Sequence, residues 1–198
     1  MQRKISPVAR KAVEHYVAQS ELLNVTCQSE SLQQIRKQAQ QQLSQQGFPN
    51  QRDEDWQYTR LINFVQNHFA MQPALPVSSQ QVRQFMPDFP VTMVVFVDGW
   101  FSEELSDDLE SLPSGVIYES FRDIETISAD AEVLFEREKQ ITKEPFGILN
   151  SLLLADGFYL QMNANVCMEM PFFVLHIQTR KNQISNVRNR IELGENAE

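Results

Sequence analysis

Glycine is scarce, at six in 198 residues. None of the six falls in a G-x-G-x-x-G or G-x-x-x-x-G-K spacing, so there is no glycine loop to cradle a phosphate, and nucleotide hydrolysis drops out as a reading. Cysteine is scarcer still. Cys27 and Cys167 lie far apart and make no C-x-x-C pair, which argues against a disulfide framework and fits a reducing compartment best. Two thiolates also fall short of the four that a conventional iron–sulfur cluster takes, so no cofactor is expected on this chain alone. Long apolar runs are missing too: none approaches the roughly 20 residues of a membrane helix. Residues 1–20 carry Arg3, Lys4, Arg10 and Lys11 but no apolar signal-peptide core, so the expected location is the cytoplasm.

Positive charge is in short supply. Seventeen Lys and Arg stand against 26 Asp and Glu, a formal charge of −9 and a pI near 4.9. A phosphate backbone or an anionic membrane surface is repelled on average, so neither nucleic acid nor membrane is an expected partner. The imbalance is local: residues 1–60 hold 8 basic against 6 acidic residues, whereas residues 98–138 hold only Arg122 and Arg137 against 13 acids. What is present is ordinary for a folded chain, 42% hydrophobic and 22% charged, enough for one medium domain or two small ones.

The N-terminal part reads as helical. Ser6-Pro7 has the form of an N-cap and first helical residue, with Val8, Ala12, Tyr16 and Leu23 near helical spacing, predicting a helix over about 7–23. Ser31 and Gln34 stand at capping-box spacing, and Leu32, Ile35, Ala39 and Leu43 make one apolar stripe that Gly47 and Pro49 stop. Eleven of the 30 residues from 28 to 57 are Gln; because the apolar residues keep helical period, the tract reads as the solvated face of a helix rather than as low complexity. Thr59 is the expected N-cap of a further helix with Ile62, Val65 and Phe69 inward, ended by Pro73 and Pro76. Residues 70–90, with four prolines and no sustained period, read as an irregular connection.

From residue 91 the period changes. Val91–Val97 is a β-rich run, and Asp98-Gly99 before Trp100-Phe101 is a two-residue hairpin signal. Val116–Tyr118 offers a short strand, and Ile124, Ile127, Ala131 and Leu134 predict a helix in the acidic segment 120–138. Pro145 behind Glu144 opens a helix with Ile148, Leu149, Leu152 and Leu153 inside, which Asp156-Gly157 is expected to close. From Phe158 to Met170 apolar residues occupy the even positions, predicting a half-buried strand pair with a turn at 163–165. Phe172–Ile177 reads as a strand covered on both faces, and Val187, Ile191 and Leu193 alternate with Arg188, Arg190 and Glu192 in a last strand, with a turn at Gly194-Glu195-Asn196. Strands and turns accumulate to the end like the opening of a repetitive β structure, so the chain is expected to be part of a longer protein.

Groups that could carry chemistry are dispersed. Cys167 and His176 are the nearest thiol–imidazole pair, but Cys167 is predicted outward and no orienting carboxylate is recognisable. His15, His68, His176 and the two cysteines have no metal-ligand spacing. The acidic run Asp98–Glu110 lacks the EF-hand alternation, and Asp53, Glu54 and Asp55 are adjacent, so they cannot all face one glycosidic bond. Trp56 and Tyr58 beside them are expected to pin a helix entry to the core.

Four stretches, in order, resemble a known family. Gly47-Phe48-Pro49 with Glu54-Asp55-Trp56-Gln57-Tyr58-Thr59 is similar to the turn and E-x-W-(K/Q)-Y-T motif of the SufD group of the SufB/SufD family. Val95-Phe96-Val97-Asp98-Gly99 resembles its hairpin, Phe146-Gly147-Ile148-Leu149-Asn150 through Asp156-Gly157 a segment shared by both groups, and Arg188-Asn189-Arg190 through Gly194-Glu195-Asn196-Ala197 its R-N-x-x-x-x-G-E-N-A strand and turn. The resemblance spans about residues 47–198. It implies an α+β architecture: an N-terminal helical domain over 1–90, including the proline-containing linker, then a β-rich segment over 91–198 that leads into a right-handed parallel β-helix. It also implies a non-catalytic part in iron–sulfur cluster assembly and iron supply, with SufB and SufC as partners and a cluster held by the whole complex. The SufB group, a cluster scaffold, is the alternative; a β-helix enzyme acting on polysaccharide is an alternative of another class. The matched positions, Glu54, Trp56, Tyr58, Thr59, Asp98, Gly99, Asn150, Asp156, Gly157, Asn189, Gly194, Glu195 and Asn196, read as structural, and no catalytic, cofactor or metal residue is assigned. Open strands at the end of a β-helix would also favour self-association.

Overall fold

A computed structural model describes residues 5–26, 30–121 and 144–198 of the chain. They form two compact units whose chain paths interleave. The first takes the residues up to Met71 and, later, residues 144–154; the second takes Gln72 onward and Ala155–Glu198.

The first unit is helical. Helix α1 (Pro7–Thr26) starts where Ser6 Oγ accepts the Ala9 N–H at 3.2 Å, an N-cap that satisfies one orphan donor. Ala9, Ala12, Val13, Tyr16 and Leu23 are buried along one stripe. Helix α2 (Glu30–Gln46) buries Leu32, Ile35, Ala39 and Leu43 at 0–5% exposure, so the glutamines lie on the opposite side. Gly47 ends it with φ +63° and its N–H on the Leu43 carbonyl at 2.8 Å, a left-handed position that glycine adopts without strain.

Three expectations fail after Gly47: the cap, the inward face and the end of the next helix. A 3₁₀ turn at Glu54–Trp56 precedes α3 (Ile62–Asn67), a helix of six residues. Its N-cap is Leu61 rather than Thr59, Ile62 is 50% exposed, and the helix stops at His68, φ 47°, before Phe69 and before either proline. Sequence spacing had three apolar positions in register; only Val65 of the three is buried. The core is instead aromatic: Phe64 lies 5.6 Å from Tyr16, 5.5 Å from Phe48 and 5.1 Å from Phe146, distances at which rings stack or meet edge to face. Phe146 arrives on the last helix of this unit, Pro145–Leu152, with proline at its first turn.

The second unit is built on strands. The stretch expected to be irregular contains α4 (Ser79–Arg83), opened by a capping box in which Ser78 and Gln81 bond each other's backbone N–H; two prolines on each side obscured its period. Helix Pro145–Leu152 is α5 in chain order. Strands β1 (Thr92–Val97), β2 (Trp100–Phe101), β3 (Val116–Ser120), β4 (Asp156–Met162), β5 (Phe172–Ile177) and β6 (Val187–Leu193) form two three-stranded sheets, ordered β2-β1-β5 and β3-β4-β6. The expected acidic helix at 120–138 lies outside the described residues beyond Phe121.

The β1–β2 hairpin and the β3–β4 pair are antiparallel, whereas β1–β5 and β4–β6 are parallel. Thr92 pairs with Phe172, and Asp156 with Val187. The second register, 31 positions, continues beyond the strands: Gly194 N–H donates to the Met162 carbonyl, Asn165 N–H to Glu195, and Glu198 N–H to Val166, all at 2.8–3.0 Å. The chain therefore lies on itself through a turn as well as through a strand. The core has two sides. Val94 and Phe96 face Phe158 and Leu160, while Val95 and Val97 pack with Val82 of α4 and Leu105.

Three further expectations are corrected. Asp156-Gly157 does not close α5 but begins β4, since α5 ends at Leu152 with Leu153 as its C-cap. The strand pair at 158–170 is one strand, β4, followed by turns; Tyr159, expected outward, is 1% exposed. And β5 is half-buried rather than covered on both faces, because it is the last strand of its sheet among the described residues.

Candidate functional site

The matched polar residues gather at turns. Asp98 and Gly99 have φ 54° and 90° and join β1 to β2, the positive-φ pair that a tight hairpin requires. A Cβ on Gly99 would come within 3.1 Å of the Ser185 Cα. The Asp98 side chain is 1% exposed. Its carboxylate accepts the Thr179 N–H at 2.7 Å, the Thr179 hydroxyl at 2.6 Å and the Leu75 N–H at 3.2 Å. Burial works against ionisation, but the Thr179 and Leu75 donors and the charge of Arg180 outweigh it and hold the carboxyl below the usual range. Gln183, 5% exposed, donates to the Asp98 and Gln72 carbonyls at 3.2 and 3.4 Å. Arg180 reaches the Gln72 side chain at 2.5 Å, and Trp100 donates to the Gln72 carbonyl at 2.8 Å. One carboxylate thus ties three chain segments, around Leu75, the hairpin and Thr179, into one junction. With three donors on it and a lowered pKa, it is a poor proton acceptor.

Asp156 forms a second junction. It is fully buried and accepts the Phe101 N–H at 2.8 Å and its neighbour Gly157's N–H at 2.7 Å. Gly157 has φ +150°, and a Cβ there would stand 1.8 Å from the Arg188 carbonyl oxygen, so only glycine lets β6 approach β4 at this point. Tyr118 lies in the same core; burial first, and the Asp156 charge second, push its phenol up. At the next turn Asn165 and Asn196, both left-handed with φ 61° and 58°, are joined side chain to side chain at 3.1 Å, and a Cβ on Gly194 would meet the Ala164 nitrogen at 2.4 Å. Glu195 and Asn196 are exposed, as is Asn189 within β6.

The other matched positions do not converge with these. Trp56 packs its ring 5.4 Å from Phe146, whereas Tyr58 is 91% exposed, so the pair does not pin the helix entry together. Glu54 and Thr59 are exposed, and Asn150 is half-buried on α5. Asp53 of the acidic triplet accepts the Asn50 N–H at 2.7 Å. In the acidic run, Asp107 accepts the Met93 N–H at 2.7 Å and Ser106 Oγ the Val95 N–H at 2.9 Å. The run serves the otherwise open edge of β1.

Sequence reasoning missed two buried groups. Arg36, 1% exposed on α2, donates from Nε and Nη2 to the Leu154 carbonyl at 3.1 and 2.7 Å. The signal that could have found it is its place among Leu32, Ile35 and Ala39 on the apolar stripe. Gln183 had no signal. Cys167 is exposed with its thiol 3.8 Å from the Met168 carbonyl, and His176 stacks on Phe96 at 5.2 Å, where burial of the ring lowers its pKa. The two have different partners. Cys27 lies outside the described residues. Among the described residues, no group of three or more His, Cys, Asp or Glu is arranged to hold a metal ion, and no helix is long and apolar enough to cross a membrane.

Comparison with known proteins gives a consistent result. A family model described as the SufBD protein N-terminal region matches residues 8–174. An iron–sulfur cluster assembly SufBD family protein of Synechocystis sp. is 24% identical over 131 residues, a match covering 66% of this chain and 29% of that protein. The chain thus matches less than a third of that relative's length. With that family model matching residues 8–174, most of its length, the chain belongs to the SufBD family.

Proposed function

We propose that this chain is the N-terminal part of a SufD-type component of iron–sulfur cluster assembly, working in the cytoplasm by presenting surfaces to SufB and SufC rather than by catalysis. The single observation that carries the reading furthest is the 31-position parallel register, kept through a strand and the turn after it. Self-stacking of this kind supports the proposed architecture, the opening of a right-handed parallel β-helix behind a helical domain. The relative from Synechocystis is described as an iron–sulfur cluster assembly protein, and that role is carried to this chain as part of the proposal. The SufD assignment over SufB rests on the helical start and the absence of a C-x-x-C pair; any iron or cluster is cargo of the whole complex.

Capture of the endogenous protein with an antibody against this chain, followed by mass spectrometry, tests the reading. Co-purification of an ABC-type ATPase and of a SufB-like protein is the expected result. Recovery of the protein with neither partner overturns it. Isolated, the 198-residue chain is expected to self-associate through β5 and β6, the outer strands of their sheets among the described residues; light scattering that gives a strict monomer at high concentration removes that part of the proposal.

A further inference from the structure

The helical unit contains a cavity of about 430 Å³, within the ~300–1,000 Å³ range of small-molecule sites. Its walls are apolar. Val8 and Ala9 come from the first turn of α1, Phe48 from the turn after α2, and Leu61, Ile62 and Val65 from α3. Val8 and Ile62 are 40% and 50% exposed, although both sit at positions whose spacing predicts burial. A short helix that turns an isoleucine toward solvent at the mouth of an apolar cavity leaves apolar surface uncovered beside it.

The polar part of the lining is Ser6, Asn50, Gln51 and Arg60, so its single charged group is a cation. Arg60 lines the cavity, and its guanidinium has no hydrogen bond or ion pair among the described residues. Ser6 lies on the same lining, at the start of the 20-residue α1, whose first turn carries partial positive charge. Asp53, the nearest carboxylate in sequence to the cavity turn, already accepts the Asn50 N–H. A guanidinium without a partner among the described residues, at the mouth of a largely apolar cavity, is matched by an anion that carries an apolar tail, because the tail gains from leaving water and the carboxylate gains a charge-assisted bond.

We propose that this cavity binds a single-chain amphiphile with a carboxylate head, its tail between α1 and α3 and its head on Arg60. This site is independent of the assembly role proposed above. Titration calorimetry of the 198-residue chain with dodecanoate, and with dodecanol as the uncharged analogue, tests it. Saturable one-to-one binding is expected, with dodecanol weaker by roughly tenfold, the loss of about one charge-assisted bond in a half-open site. Arg60→Gln should weaken dodecanoate by the same factor and leave dodecanol unchanged, while Ile62→Glu should abolish both. Should Ile62→Glu unfold by circular dichroism, Val8→Glu, at the opposite lip, replaces it. Failure to saturate below the micelle concentration, or binding unchanged in the glutamate variants, overturns the site. Equal affinity for the two ligands together with no effect of Arg60→Gln overturns the carboxylate assignment.

Discussion

The two units are held by different means. In the helical unit, specificity comes from volume: a stripe on α2, a stripe on α1 and a set of rings around Phe64 fill one interior, with Arg36 as a buried charge bonded to the Leu154 carbonyl. In the β unit it comes from register. A parallel pair 31 positions apart is fixed by the close approach at Gly157 and by the Asn165–Asn196 pair, while Asp98 and Asp156 tie the β1–β2 hairpin to Thr179 and to the start of β4. Volume tolerates compensating change, whereas register does not, because a one-residue slip turns every side chain to the other face.

The strongest way to break the comparison is Gly157→Ala. A methyl group 1.8 Å from the Arg188 carbonyl oxygen, on a residue at φ +150°, cannot be absorbed without moving β6. A loss of roughly 3 kcal/mol or more is expected, read in chemical denaturation. Hydrogen exchange should show protection lost in β4 and β6 and retained in α1 and α2; equal loss in both units means they do not unfold as separate bodies.

Leu43→Ala, at a fully buried position of α2, should cost about 3 kcal/mol with the opposite pattern of exchange. Leu43→Met should cost less than about 1.5 kcal/mol. If the conservative variant costs as much as the alanine, the helical core is as exacting as the β register.

Asp98→Asn keeps a side chain that tolerates positive φ but turns an acceptor of three donors into a group with donors of its own, for an expected cost of about 2 kcal/mol. The pH dependence has a definite sign. The carboxyl is lowered in the folded state, so its contribution is present above the unfolded carboxylate pKa and is lost as pH falls through the folded value. Wild type minus variant stability should therefore shrink on acidification; a difference that grows instead shows the carboxylate to be destabilising.

The smallest effect sharpens the role of the asparagine pair. Asn165→Ala should cost about 1 kcal/mol, for a left-handed residue and a side-chain bond together. Asn165→Gly, which keeps the backbone freedom, isolates the 3.1 Å side-chain contact and should cost a few tenths. Equal costs would assign the whole effect to the contact.

Legibility followed the same division. The stripes of α1 and α2, the proline start of α5 and the Asp98-Gly99 hairpin were readable because each is a local signal: period, cap or turn chemistry within a few residues. The Thr59 cap failed because the helix begins only at Ile62, with Leu61 in the cap position, and α4 was hidden because a five-residue helix has too few apolar positions to show a period. Of the site, glycine and asparagine at the turns were legible as turn residues, but not that Asp98 meets Thr179 or that Gly157 faces Arg188.

Local order, the sign and distribution of charge, and the absence of nucleotide-loop and metal-ligand motifs follow from the order of residues alone, because each depends on neighbours within about one or two turns of chain. That α5 belongs with the N-terminal helices, that Arg36 is buried, and that β6 lies parallel on β4 at 31 positions was decided only in three dimensions. These are pairings between distant segments, and the energy that selects them, burial of apolar area and satisfaction of backbone donors at a given register, exists only once the segments meet.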